Sequence, residues 1–280
     1  MKTLKGKVAA VTGAASGLGR AMALAFADHG MHVALADVDE RNLSAVIAEV
    51  TGKGVRAVSM KVDVSRGDQV EAFAAKTLAD LGAVHVVCNN AGVSPLGAPW
   101  ENSVGEWEWI LGVNLWGVIH GVRSFAPRLI AQGEGHIVNT ASVAGIICPP
   151  GSAAYNVTKH AVVAFSETLH HDLRERGSPV GVSVLCPAYV PTGIADSERN
   201  RPAQVQASTK SKETAAREIV LRKAVASGRL SAADVAQAVV AAIKEERFYI
   251  LTHPRIKGAI QARMEDILQE RTPRNPLALG

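Results

Sequence analysis

The stretch that decides the fold runs from Val8 to Asp37 and reads VAAVTGAASGLGRAMALAFADHGMHVALAD. A short apolar run opens it, a glycine-rich turn follows, and a helical pattern closed by Gly30 leads into a second apolar run. Short apolar runs are typical of parallel strands buried on both faces. Glycine just past the last periodic residue is a usual helix stop. The stretch therefore predicts a strand–helix–strand unit.

The same alternation continues along the chain. We predict strands at residues 8–12, 32–36, 56–62, 84–89, 136–141, 180–186 and 248–251. Helical patterns separate them, which predicts an α/β fold: a doubly wound, seven-stranded parallel, Rossmann-like sheet with helices on both faces. No linker divides residues 1–280, so we expect a single domain.

Two segments depart from the alternation. The polar residues 195–228 predict one or two exposed helices, and residues 188–230 are a candidate substrate lid; a solvated surface helix without a role is the alternative. Residues 254–280 predict an amphipathic helix and a Pro-rich tail, which could dock on a partner subunit or fray.

Composition excludes several classes of function. The chain has 48% hydrophobic residues, 20% charged residues and a net charge of +4, without an apolar run long enough for a membrane span or a signal peptide. Its Lys and Arg residues are not clustered and aromatic residues are few, which argues against nucleic-acid binding. Three scattered cysteines and the spacing of the histidines favour a reduced, cytoplasmic protein without a metal site.

The glycine-rich turn lies between the first strand and the first helix. Glycine lets the backbone turn sharply and approach a pyrophosphate, to which the helix N-terminus offers free N–H groups. Such a turn can also be purely steric, but its placement favours dinucleotide binding. Asp37 ends the second strand, where a carboxylate would accept hydrogen bonds from ribose hydroxyls and repel a 2′-phosphate. We therefore predict NAD as the cofactor, with NADP disfavoured by Asp37; an ordinary turn-forming Asp is the alternative.

Tyr155 and Lys159 are four residues apart on a predicted helix, which puts their side chains on one face. A nearby ammonium favours the phenolate, so Lys159 is expected to lower the pKa of Tyr155. Ser142 ends the fifth strand at the sheet edge where ligands bind in such folds, and its hydroxyl could hold a substrate oxygen while Tyr155 moves the proton.

Several motifs in order resemble the short-chain dehydrogenase/reductase family, in its single-domain type. Residues 12–19 resemble the TGxxxGxG loop, residues 89–92 match NNAG, and Asp63-Val64 matches the pair that borders the adenine. Residues 187–192 resemble PGxxxT, with Ala188 in place of the usual glycine. The Asn-Ser-Tyr-Lys tetrad of the family falls on Asn114, Ser142, Tyr155 and Lys159.

The resemblance implies roles for these residues. Tyr155 would be the catalytic acid/base, Ser142 would orient the substrate oxygen, Lys159 would bind the nicotinamide ribose and Asn114 would support a proton-relay water. The expected cofactor residues are Gly13, Ser16, Gly17, Leu18, Gly19, Asp37, Asp63, Val64, Asn90, Ala91, Gly92, Tyr155, Lys159, Pro187, Val190 and Thr192. The expected substrate residues are Ser142, Ile146, Cys148, Tyr155, Tyr189 and Ile194. Trp107, Trp109 and Trp116 are expected to pack rather than to contact substrate.

The sequence thus predicts an NAD(H)-dependent enzyme that interconverts a secondary alcohol and a ketone. Apolar residues beside the motifs favour a hydrophobic, aromatic or alicyclic substrate. A dinucleotide-sensing regulator, and a nucleotide-sugar epimerase or dehydratase, are the alternatives. Helices around residues 113–130 and 153–174 carry apolar residues on more than one side, which predicts a homodimer or homotetramer.

Overall fold

A computed structural model describes residues 1–278 and contains one seven-stranded sheet in which every pairing is parallel. The strands are β1 (Val8–Thr12), β2 (His32–Asp37), β3 (Ala57–Lys61), β4 (Val86–Asn89), β5 (His136–Thr140), β6 (Gly181–Cys186) and β7 (Tyr249–Leu251). Their order is β3-β2-β1-β4-β5-β6-β7. The predicted fold class is confirmed.

Helices connect the strands. They are α1 (Gly17–Asp28), α2 (Glu40–Thr51), α3 (Gly67–Leu81), α4 (Val104–Leu111), α5 (Gly117–Gln132), α6 (Ala153–Glu175), α7 (Lys212–Ala226), α8 (Ala232–Glu245) and α9 (Ile256–Leu268). A π-helical turn, Gly112–Trp116, joins α4 to α5. Among residues 1–278, no helix has the length and apolar character needed to cross a membrane.

The core lies on both faces of the sheet. One apolar cluster packs α1, α2 and α8 against the strands, and a second packs α3, α5 and α6 against the opposite face. All five residues of β1 are buried, as are all five of β5, which explains the near-continuous apolar character of these strands in the sequence.

The segments that departed from the strand–helix alternation contain helices. Between β6 and β7 lie a 3₁₀-helical stretch, Gly193–Asn200, and α7, which confirms the helices expected within residues 195–228. The helix expected after residue 254 is α9, followed by a short 3₁₀ turn, Pro276–Ala278. Residues 279 and 280, the end of the predicted tail, lie outside the described residues.

The strand order places the functional edge. The chain leaves β1 toward β2 on one side of the sheet and later returns to β4 on the other side of β1. The connections therefore diverge at the carboxyl ends of β1 and β4, and ligands of doubly wound folds bind in the crevice at such a switch point.

Candidate active site

A cleft of about 550 Å³ lies along this edge of the sheet. One half of its wall is formed by the glycine-rich turn, by the end of β2 and by the segment after β3. The other half carries Ser142, Tyr155 and Lys159 together with the segment after β6. The geometry thus joins the two groups of residues that the sequence singled out in one elongated cavity.

Gly13 allows the turn after β1 to approach the segment after β4. Its φ is +66°, a conformation that favours glycine, and a Cβ at this position would lie 2.8 Å from the Cα of Ala91. Beside the turn, the carboxylate of Asp37 accepts hydrogen bonds from the backbone N–H of Ala15 at 2.9 Å and of Asp39 at 3.0 Å. These bonds fix a negative charge against the glycine-rich turn.

Thr12 and Asn90 hold the strand ends together. The Thr12 hydroxyl oxygen accepts hydrogen bonds from the backbone N–H groups of Asn90 and Ala91, at 2.9 and 3.1 Å. The Asn90 side chain donates to the Thr12 carbonyl at 3.0 Å and accepts from the Thr140 hydroxyl at 3.3 Å. The floor of the cleft between β1 and β5 is therefore fixed by hydrogen bonds.

Lys159 is a buried cation beside Tyr155. Only 3% of its surface is exposed, its ammonium donates to the Thr140 carbonyl at 2.8 Å, and it lies 5.6 Å from the centre of the Tyr155 ring. Ser142, at the end of β5, donates to the Pro187 carbonyl at 3.4 Å and accepts from the backbone N–H of Ala144 at 3.2 Å. The two hydroxyl groups and the ammonium face the same cavity.

Burial dominates the ionisation of this group. It raises the pKa of Tyr155 to about 12, although hydrogen bonding with Ser142 acts to lower it. Burial also lowers the pKa of Lys159 to about 8. Loss of solvation decides the direction of the Tyr155 shift in this structure, and the expected lowering of that pKa by Lys159 stays a prediction.

Asn114 lies behind the cleft rather than on its wall. It is fully buried in the π-helical turn, where its side-chain oxygen accepts from the Val93 N–H at 2.8 Å and its amide donates to the Val93 carbonyl at 2.9 Å. The amide also donates to the Thr158 hydroxyl at 3.2 Å. Asn114 thus links the segment after β4 to α6, the helix that carries Tyr155 and Lys159.

Most of the predicted site residues line the cleft. Besides Ser142, Tyr155 and Lys159, these are Gly13, Ser16, Gly17, Leu18, Asp37, Asp63, Val64, Asn90, Ala91, Gly92, Pro187, Val190, Thr192 and Ile194. Gly19 is buried behind the turn, in close contact with the Gly13 backbone.

Three expected substrate residues lie away from the cleft wall. Ile146 packs into an apolar cluster with Ala141 and Val162. The sulfur of Cys148 lies 3.6 Å from Nε2 of His160, and Tyr189 is 43% exposed. Their expected contact with substrate stays a prediction, because adjacency in sequence to a motif residue does not determine which way a loop side chain turns.

The structure adds wall residues that the sequence did not indicate. Trp109, expected only to pack, is 93% buried but also contributes to the cleft wall. Further wall residues are Val93, Glu108, Val113, Arg199, Gln204 and Val205. Trp109 and Val113 are four residues apart, just before Asn114, and this spacing could have indicated that both face the site. Arg199, Gln204 and Val205 lie within the candidate substrate lid, residues 188–230, but no pattern singled them out individually.

Comparison with known proteins decides the family. The sequence profile described as "short chain dehydrogenase" matches residues 7–203, well over half of the chain. The protein belongs to the short-chain dehydrogenase/reductase family. It is accordingly an oxidoreductase of that family, and its sheet and nine described helices have the family's Rossmann-like arrangement.

Similar proteins include enzymes and a cofactor complex. A short-chain dehydrogenase/reductase from Burkholderia phymatum, solved in complex with NAD, is 49% identical and superimposes with a TM-score of 0.96 over 98% of both chains. The 1-deoxy-11-beta-hydroxypentalenate dehydrogenase of Streptomyces exfoliatus is 36% identical over 94% of this chain and 89% of its own. The CLA biosynthesis dehydrogenase/reductase of Lactiplantibacillus plantarum is 31% identical over 98% and 97%.

The residues of this short-chain dehydrogenase/reductase fit a dinucleotide. Gly13 lets the turn after β1 lie against the segment after β4, which a side chain at this position would prevent, and Gly92 lies on the cleft wall. The Asp37 carboxylate keeps lone pairs beyond those used by Ala15 and Asp39, and Lys159 keeps protons beyond the one given to Thr140. Among residues 1–278, no group of three or more potential metal-binding side chains occurs.

Proposed function

We propose that the protein is an NAD(H)-dependent oxidoreductase that interconverts a secondary alcohol and a ketone. One observation carries this proposal: Ser142, Tyr155 and Lys159 face the same cleft as the glycine-rich turn and Asp37. A dinucleotide bound along that cleft would extend from the carboxylate to the two hydroxyl groups.

The proton chemistry falls to Tyr155. With a pKa near 12, its phenol is protonated at neutral pH, the state required of the acid in ketone reduction. Alcohol oxidation requires the phenolate, which the Lys159 ammonium stabilises, and that ammonium is charged below about pH 8. Ser142 holds the substrate oxygen, and Asn114 acts by fixing α6 against the segment after β4.

The cofactor would be held by this chain's two halves of the cleft. NAD supplies the hydride acceptor when it is bound. The glycine-rich turn would hold its pyrophosphate, Asp37 the adenosine ribose, Asp63 and Val64 the adenine side, and Lys159 the nicotinamide ribose. The NAD complex of the Burkholderia phymatum protein supports the choice of cofactor.

The cleft wall indicates the substrate class. Apolar side chains of Val93, Trp109, Val205 and Ile194 surround the proposed reaction centre. An apolar wall with a few polar groups suits a hydrophobic ring compound that bears one hydroxyl or keto group. The hydroxypentalenate dehydrogenases among the relatives, named for hydroxyl-bearing substrates, support this class.

Three further features belong to the proposal. Residues 188–230 act as the substrate lid, since Gly193, Ile194 and Val205 line the cleft.

The protein forms a homodimer or homotetramer through the α5–α6 side, where Trp116 and Val157 are 51% and 49% exposed. It acts in the cytoplasm, in keeping with its three free cysteines.

A substrate screen tests the proposed function. The protein is incubated with NAD and a panel of secondary alcohols that includes aromatic, alicyclic and short aliphatic members. We expect formation of reduced nicotinamide with the ring compounds and little with the aliphatic ones. Tight binding of NADH without turnover of any alcohol or ketone would instead favour a dinucleotide-sensing regulator.

A further inference from the structure

One wall of the cleft is built from a segment distant in sequence from the catalytic residues. We call residues 193–214 the roof segment. Its cleft-lining residues are Gly193, Ile194, Ser197, Arg199, Asn200, Pro202, Gln204 and Val205. Between Arg201 and Ser211 it contains no helix or strand, so backbone hydrogen bonding of regular structure does not hold this part in place.

Hydrogen bonds with the segment after β4 hold the roof instead. The Ser94 N–H donates to the Ser197 hydroxyl at 2.8 Å near one end. The Thr214 hydroxyl donates to the Glu101 carboxylate at 2.5 Å at the other end. Between these two points, Ser208 hydrogen-bonds to Glu106, three residues after Val205 in the chain.

Glu106 is an unusual anchor because it is buried without a cation. It is 1% exposed, and no Lys, Arg or His of residues 1–278 forms a salt bridge with it. Its carboxylate accepts from the Ser208 N–H at 3.1 Å, from the Ser208 hydroxyl, and from the Ser103 N–H at 3.0 Å. The Ser103 N–H also donates to the Ser208 hydroxyl oxygen at 2.8 Å.

Glu106 therefore has two tasks. Toward Ser103 it completes the capping box that begins α4, a common device of helix N-termini. Its bonds to Ser208 hold the roof segment, and a capping box does not require such bonds. Burial acts to raise the pKa of Glu106, but hydrogen bonds from Ser208 and Ser103 outweigh it and lower the pKa, so the carboxylate is charged at neutral pH.

The Glu106–Ser208 contact affects the cleft through the position of Val205. This residue packs against the apolar cluster of Val93, Trp109, Ile110 and Ala154, three positions before Ser208. We propose that Glu106 is a positioning residue for substrate specificity: by holding Ser208, it fixes Val205 beside Trp109 and so forms the apolar wall that receives the substrate ring. This inference rests on the proposed function only in taking the cleft as the substrate site.

Two substitutions each weaken the contact by one hydrogen bond. Glu106→Gln keeps one oxygen for the Ser103 N–H and the Ser208 hydroxyl, which share it, but turns an amide toward the Ser208 N–H. Ser208→Ala removes the hydroxyl. The start of α8 supplies matched controls, because Ser231 and Asp234 form the same capping box on an exposed surface away from the cleft. Asp234→Asn and Ser231→Ala thus repeat the chemical changes without a roof contact.

The first measurement needs no substrate. Trypsin can cleave the roof after Lys210 and Lys212, and the rate of cleavage there reports how firmly the segment is held. We expect at least about fivefold faster cleavage in Glu106→Gln and Ser208→Ala, since a buried donor without a partner is costly. The two α8 controls should cleave at the wild-type rate. Unchanged cleavage in both roof variants would overturn the anchor, and Ser208→Ala decides the matter alone if Glu106→Gln does not fold.

The second measurement tests specificity on a ring alcohol that the wild type oxidises. We expect KM for the alcohol to rise at least about fivefold in the roof variants, with kcat and KM for NAD within about twofold of wild type. Faster cleavage with an unchanged KM for the alcohol would leave Glu106 a purely structural residue and refute the specificity role. If no alcohol is turned over by the wild type, the proposed function fails, while the cleavage rates still judge the anchor.

Discussion

The proposed preference for NAD over NADP would depend on one carboxylate, and removing its charge should largely abolish the preference. Asp37 is held by the backbone N–H groups of Ala15 and Asp39, which fix its charge beside the expected site of the adenosine ribose. Of the cations near Asp37 in the sequence or across the sheet, Arg20 pairs with Glu49 and Lys61 pairs with Glu40, while Arg41 is exposed at the start of α2. We choose Asp37→Asn, which removes the charge and keeps the shape.

The magnitude follows from charge and distance. For one and two unit charges about 5 Å apart in a water-like dielectric, Coulomb's law gives a repulsion of about 1.7 kcal/mol, or roughly 15-fold in affinity. The bonds from ribose hydroxyls to a charged acceptor add to the preference. In Asp37→Asn, one backbone N–H faces the new amide group. The loss of this hydrogen bond affects the binding of both cofactors equally, so it cancels in the ratio of their Kd values. We expect wild type to favour NAD at least about tenfold and the variant to favour it about twofold or less.

Binding of the reduced cofactors measures this ratio without a known substrate. NADH and NADPH are titrated into each protein, and their Kd values are compared at low and at high salt. Added salt should shrink the wild-type ratio, because the repulsion is screened. Asp39→Asn is the matched control: Asp39 also lines the cleft and caps α2 through the Asn42 N–H at 3.1 Å, and its loss should change the ratio less than about threefold. Wild-type binding of NADPH as tight as that of NADH, or an unchanged ratio in Asp37→Asn, would refute the reasoning.

Three further outcomes are expected. Tyr155→Phe should lower kcat at least about a hundredfold while the Kd for NADH stays within about threefold, since only the proton-transferring hydroxyl is lost; a kcat above a third of wild type would contradict the mechanism. Between about pH 8 and 10, the free energy of unfolding of wild type should rise relative to that of Lys159→Met, because the unfolded chain then holds a proton that buried Lys159 has lost. Urea unfolding at several pH values measures both free energies. The same pH dependence in the two proteins would refute this reasoning. Light scattering should show a dimer or tetramer that Trp116→Glu shifts toward monomer, and a wild-type monomer would exclude the proposed assembly.

The sequence was sufficient for the sheet because its signals are local. Each predicted strand agrees with the structure to within two residues at either end, since buried parallel strands are continuous apolar runs bounded by turn residues. The π-helical turn, Gly112–Trp116, had no such signal. Its residue Asn114 forms tertiary hydrogen bonds to Val93 and Thr158, which a local pattern does not contain.

The candidate site divides in the same way. The residues at strand ends could be placed because parallel strands deliver their carboxyl ends to one edge, and Asp37, Asn90 and Ser142 follow that rule. Some loop residues could not be placed: Cys148 turns toward His160, while Val205 reaches the cleft from the segment between β6 and α7. Such orientations depend on distant partners, of which the Glu106–Ser208 contact is the clearest example.

Burying Lys159 in the candidate site lowers the stability of the fold. A buried ammonium is unfavourable, and here the Thr140 carbonyl is its only described hydrogen-bond acceptor. The lowered pKa is the measure of this conflict, because the protein would be more stable with the amine neutral. A residue retained against stability is best explained by an anionic or polar partner that arrives later, and a phenolate together with ribose hydroxyls would provide one. Cofactor binding should therefore raise the pKa of Lys159. The proton on the Lys159 amine thus lowers the stability of the protein without cofactor and is the same proton that the proposed catalysis requires.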